Sequence, residues 1–112
     1  MRAEDRIRLR HMLESAESAV RFVTGRQRAD LESDDMLRLA LSRAIEIIGE
    51  AAVNVSEATR AAIPRIPWRD IIGMRNRLIH AYFHVNVDIL WKTATEDIPP
   101  LVQTLRAELP PD

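Results

Sequence analysis

Residues 67–82 read Pro-Trp-Arg-Asp-Ile-Ile-Gly-Met-Arg-Asn-Arg-Leu-Ile-His-Ala-Tyr, and the rest of the chain is read outward from them. Pro67 is tolerated in the first turn of a helix, where the amide it lacks would have no partner, so a helix is expected to begin at Trp68 and to carry the polar residues near its far end. At ~100° per residue, Asn76 and His80 would lie ~40° apart on one face, with Arg75 reaching round from ~140° away. Imidazole is the side chain suited to moving a proton near neutral pH, and guanidinium is the fixed cation best matched to phosphate. Phosphodiester chemistry is one reading of this trio. The other is a set of solvated or cap-forming groups at a helix C-terminus, and spacing leaves both open.

Upstream, Leu9, Met12 or Leu13, Ala16, Ala19 or Val20 and Val23 recur at three-to-four spacing, which predicts an amphipathic helix over Ala3 to Val23 ended by Gly25. A polar connection, 25–35, offers Ser33 or Asp34 as a cap for the next helix. From Met36 the stripe Leu37, Ala40 or Leu41, Ala44, Ile48, Ala51 or Ala52 and Val55 predicts the longest helix, with a break near Asn54 to Ser56 before Ala62. Gly49, costly inside a helix by ~1 kcal/mol, points to a contact that needs a missing side chain. Glu46 and Glu50 are read as exposed, with one of them available to an arginine of the 67–82 segment. Pro64 and Pro67 turn the chain before that segment, and Gly73 is read as a point of close approach, to another helix or to a second copy of the chain. After Tyr82 the chain is expected to be irregular to Asp88, with Asn86 or Asp88 capping a helix through Ile89, Leu90 and Trp91. Pro99 and Pro100 are expected to interrupt that helix before a short kinked one over Leu101 to Leu109, with Asp97 as a cap. Trp68 and Trp91 are read as core anchors and His11 as a boundary or surface residue without a role.

A length of 112 residues, 46% hydrophobic residues, few aromatics and three glycines suit one all-α domain over 1–112, a helical bundle of four to five helices. The absence of cysteine excludes disulfides and cysteine metal sites, and no apolar run approaches the ~20 residues that span a bilayer. Met1 to Arg10 lacks the apolar core of a secretory signal, so a cytoplasmic protein with no membrane association is expected. Residues 29–58 hold seven acids and two arginines, whereas 60–84 hold five arginines and Asp70. A local basic cleft on a chain of net charge −1 suits a polyanion held at one site; arginines paired with distant acids would read the same in sequence. His80 and His84 would sit one turn apart on a continuing helix, but no third metal ligand stands at a recognisable spacing, and no metal or cofactor is expected.

The segment Arg75 to Tyr82 resembles the Arg-x-x-x-x-His-x-Tyr motif of HepT-like toxins in the HEPN (higher eukaryotes and prokaryotes nucleotide-binding) superfamily, with Arg75, His80 and Tyr82 in the motif places and Asn76 following the arginine. Arg43 to Ala51, Pro67 to Tyr82 and Trp91 to Leu101 with its Asp-Ile-Pro-Pro-Leu are similar to the family in order and separation. One small departure is Ala81, where glycine often sits. The resemblance implies an up-and-down helical bundle, a homodimer, and a metal-independent endoribonuclease toxin of a type II toxin-antitoxin system. It implies a site composed at the two-fold axis, with His80 in proton transfer or in-line activation, Arg75 on the phosphate charge and Asn76 orienting one of them. It further implies a minimal nucleotidyltransferase antitoxin as partner, transferring AMP to Tyr82 and so filling the cleft. A non-catalytic nucleotide-binding or scaffolding subunit that partners a nucleotidyltransferase would carry the same residues.

Overall fold

The computed structural model describes residues 1–81 and 84–110, and of Arg75, Ile79, His80, Ala81 and His84 it describes the backbone alone. Helix α1 (Ala3–Val23) takes the predicted span and buries Leu9, Met12, Ala16 and Ala19. It closes at Gly25, whose φ of 76° lies in the left-handed region that glycine enters without steric cost. The connection that follows holds a short helix that periodicity does not signal, α2 (Asp30–Ser33), formed around buried Leu31. Asp34 caps α3 (Asp35–Val53) by accepting from the Leu37 amide at 3.1 Å. With 19 residues against 21 in α1, α3 is not the longest helix. The reason is Ser56, which accepts from the Thr59 amide and starts a separate helix, α4 (Glu57–Ala62), after the break.

Helix α5 (Trp68–Leu78) opens at Trp68 as expected and buries Ile71, Met74 and Leu78, one face at three-to-four spacing. It stops two residues short of His80. The Asn86 amide donates to the Leu78 carbonyl at 2.9 Å, taking up a carbonyl at the helix end, and the chain leaves as strand β1 (Ile79–Ala81) paired antiparallel with β2 (His84–Val85). Part of the 83–88 stretch is therefore strand rather than irregular. Asn86 also caps α6 (Val87–Lys92), its side chain accepting from the Ile89 amide at 3.0 Å. The prolines do not interrupt a helix. They stand in the first turn of α7 (Ile98–Glu108), where missing amides are tolerated, and a π-helical turn, Thr93–Asp97, joins α6 to α7 by an Ile98 amide bond to the Thr93 carbonyl. Asp97 occupies the cap position without a side-chain cap bond.

The fold is all-α, with the strand pair as its small exception; seven α-helices are described where four to five were expected, and four of them run to 11 residues or more. The surplus ones are α2 and α4, of four and six residues: α2 lies in a connection too short for periodicity to register, and α4 is the part of the expected long helix that Ser56 separates, whereas α6 is the helix expected through Trp91. The long helices pack in the order α7, α1, α3, α5 around one cluster that includes Leu9, Leu41, Ile45, Ile48, Leu78, Leu90 and Leu105. Each of these fully buried side chains contributes about 1.5–3 kcal/mol over an exposed one. Trp68 and Trp91 pack against this cluster while half-buried, so they are anchors at its edge. No described helix is long and apolar enough to cross a membrane.

Candidate active site

The motif is positioned from α3. A side chain at Gly49 would put its first carbon 3.2 Å from the Ile71 carbonyl, so the missing side chain lets the α5 backbone lie against α3, the contact that Gly49 predicts. Gly73 behaves differently, since a carbon added there would meet nothing within 4 Å. Among the described residues it is not a point of close approach. At the entry to α5, the Trp68 indole donates to the Ile63 carbonyl at 3.0 Å and the Ile71 amide to the Pro67 carbonyl at 3.0 Å, which holds the first turn in place.

From this base, Arg75 and Asn76 fall in the last turn of α5, and Asn76 is exposed. His80 is not one helical turn beyond Asn76; it lies in β1, so the ~40° separation on a helix face does not apply. The strands pair Ile79 with Val85 and Ala81 with His84, a register shift that makes His80 the extra residue of a β-bulge. Such a residue has no cross-strand partner, and bulges of this kind recur beside active sites because they re-aim a side chain. His84 lies across from Ala81 on β2 rather than one helical turn after His80. Tyr82 lies outside the described residues. Among the described residues no three histidine or carboxylate side chains gather as a metal set.

The basic segment divides by partner. Arg65 pairs with Glu108 at 3.0 Å, and the Arg77 guanidinium donates to the Asp70 carbonyl at 2.9 Å, so both are engaged locally. Arg60 and Arg69 have no ion pair among the described residues, and the Arg60 Nε is buried without a hydrogen-bond partner. Among the described side chains Glu46 and Glu50 meet no arginine of the 67–82 segment, and a pair with Arg75 lies outside the described residues. Both bind Arg43 on their own helix, at 2.7 and 3.3 Å, because spacings of three and seven residues bring them beside it. His11 is exposed on α1, as expected.

One functional group escapes a reading of the sequence, a buried carboxylate that joins the ends of two helices. Asp5, 3% exposed in the first turn of α1, accepts from the Ser56 amide at 2.9 Å, the Ser56 hydroxyl at 2.6 Å and the Thr59 hydroxyl at 2.7 Å. These bonds, from Ser56 first and then Thr59, lower its pKa to about 2. The network ties α1 to the start of α4, and with it the turn that leads into α5. Sequence offered a helix break near Ser56 but nothing to connect it with a residue 51 positions earlier.

A model of the family described as ribonuclease HepT-like matches residues 12–108, which takes in α2 to α7 and most of α1. A relative from Caldanaerobacter subterraneus subsp. tengcongensis, named "Putative RNase", is 39% identical over 98 residues, 88% of each chain. A "Putative RNase" of Methanocaldococcus jannaschii is 39% identical over 88 residues, 79% of this chain and 81% of that one. The "Probable ribonuclease HepT" of Thermococcus cleftensis is 50% identical over 72 residues, 64% of this chain and 66% of that one. No solved structure matches the chain. A family match across the helical core and the bulged motif, joined by relatives similar over most of their length, makes this chain a member of the HepT-like ribonuclease family.

Proposed function

We propose that the protein is a metal-independent endoribonuclease, and that it acts as the toxin of a type II toxin-antitoxin pair. The observation that carries the catalytic half is the position of Arg75 and Asn76 in the last turn of α5 with His80 as the extra residue of the bulge that follows. In this reading a base takes the proton of the RNA 2′-hydroxyl, the oxygen attacks the adjacent phosphorus, and the 5′-oxygen leaves with a proton from an acid. One motif histidine per chain is too few for both transfers. A homodimer that brings two copies of His80, Arg75 and Asn76 to one cleft supplies base, acid and phosphate clamp. Resemblance carries the regulatory half, in which a minimal nucleotidyltransferase transfers AMP to Tyr82 and the added nucleotide occupies the cleft.

The test is cleavage of single-stranded RNA in excess chelator, with DNA of the same sequence as control. Cutting of RNA alone, leaving 2′,3′-cyclic phosphate ends, is the expected outcome. Dependence on an added divalent metal, or equal cutting of DNA, rejects the mechanism. Nucleotide binding with no cutting of any RNA favours the non-catalytic subunit instead.

A further inference from the structure

We infer that the open groove between α4 and α5 binds a flanking segment of single-stranded RNA, with Arg60 and Arg69 on its phosphates and Trp68 against a base; this rests on the ribonuclease reading above. The groove measures about 690 Å³, and its walls include Arg60, Trp68, Arg69, Ile72 and Gly73. Charge is the first argument. Arg65 and Arg77 of the same basic segment have local partners, whereas Arg60 and Arg69 have none among the described residues, and both face this one groove. Among the described residues the groove is lined by a single carboxylate, Glu57, which forms no ion pair with either.

Position is the second argument. The groove ends at Gly73, and Asn76 stands three residues further along the same helix, so a strand leaving the groove along α5 has ~5 Å to travel to the turn that carries the motif. Gly73 leaves the wall open at its end, since a side-chain carbon there would meet no atom of the described residues within 4 Å. Trp68 is half-buried and fixed by its bond to the Ile63 carbonyl, which makes it a preformed surface for a base, and base–aromatic stacking tolerates any sequence. A strand held in this way would reach the cleft already aligned. The groove would then determine how much single-stranded RNA the enzyme needs beside the cut.

Binding of a labelled, 2′-O-methylated single-stranded RNA, which cannot be cut, is to be followed by anisotropy across a salt series. The full-length protein is compared with Arg69→Gln and with Arg60→Gln/Arg69→Gln. The expected result is affinity several-fold weaker in the double variant, a salt slope smaller by about 0.7 for each lost phosphate contact, and, with cleavable RNA, a loss that falls on KM rather than on kcat. Because the buried Arg60 Nε makes that position sensitive to folding, exposed Arg69→Gln alone must move the slope in the same direction, and Arg69→Lys must restore most of it. Unchanged affinity and slope in both variants overturn the proposal. So does a change in the mass of the assembly by light scattering without a change in RNA affinity, which would make the groove a face between copies. Wild-type protein that cuts RNA with a KM indifferent to both arginines rejects the groove and keeps the ribonuclease. Protein that binds through both arginines but cuts nothing does the reverse.

Discussion

At the scale of single residues, the reading turns on His80. A helix continuing past Leu78 would have put His80 on the Asn76 face, whereas the bulge gives it a strand backbone directly after the turn that holds Arg75. His80→Ala is expected to abolish RNA cutting while leaving Tyr82 available to AMP transfer. Arg75→Ala should reduce kcat by about 10²–10³, the cost of removing one donor from a developing oxyanion. Tyr82→Phe should cut RNA close to the wild-type rate and accept no AMP, since phenylalanine keeps the ring and lacks only the hydroxyl. Intact mass after incubation with the nucleotidyltransferase and ATP, read beside the cleavage rate, separates the three. An adduct on the Tyr82→Phe protein would place the switch elsewhere.

At the scale of elements, two glycines on facing helices make opposite predictions. Gly49→Ala gains helix propensity worth ~1 kcal/mol, but its methyl meets the backbone carbonyl of Ile71 at 3.2 Å, and a helix backbone cannot yield as a side-chain tip does. A net loss of about 1 kcal/mol is expected in denaturant unfolding. Gly73→Ala meets nothing within 4 Å among the described residues and should stabilise the chain by roughly 0.5–1 kcal/mol. The docking of α1 on α4 carries a pH signature. The Asp5 pKa falls from 3.8 to about 2 on folding, so its contribution is present above the unfolded value and is lost as pH falls through the folded one. The advantage of wild type over Asp5→Asn in urea midpoint should therefore hold steady at neutral pH and shrink between about pH 4 and 2. An advantage undiminished at pH 2 would exclude the carboxylate as its source.

At the scale of the whole molecule, the chain measures 42 × 28 × 19 Å, so its thinnest dimension is about two helix diameters. A slab of this thickness leaves long helices with an outward face, and exposed Met36 and Leu39 lie on that of α3. Pairing two such chains would complete both the buried area and the catalytic set. Light scattering is expected to give about twice 12.8 kDa. A monomer at micromolar concentration with full nuclease activity would remove the composite-site argument.

What the sequence determined by itself was local. The span of α1, the cap at Asp34, the start of α5 after Pro67, the cap at Asn86 and the close approach at Gly49 each follow from spacing, side-chain chemistry or a missing side chain within a few residues. The motif was legible too, because its residue types stand together in the chain. The end of α5 was not, since the Leu78 carbonyl is taken by the amide of Asn86, eight residues on, across a strand pair too short to show alternation. Neither was the Asp5 network, whose partners lie more than 50 residues away, nor the sorting of the arginines, since sequence counts charges and does not pair them. Hydrogen-bond partners and counter-charges are assigned by proximity in space, and only the packing of α1 on α3 and α3 on α5 decides which groups come within 3 Å of one another.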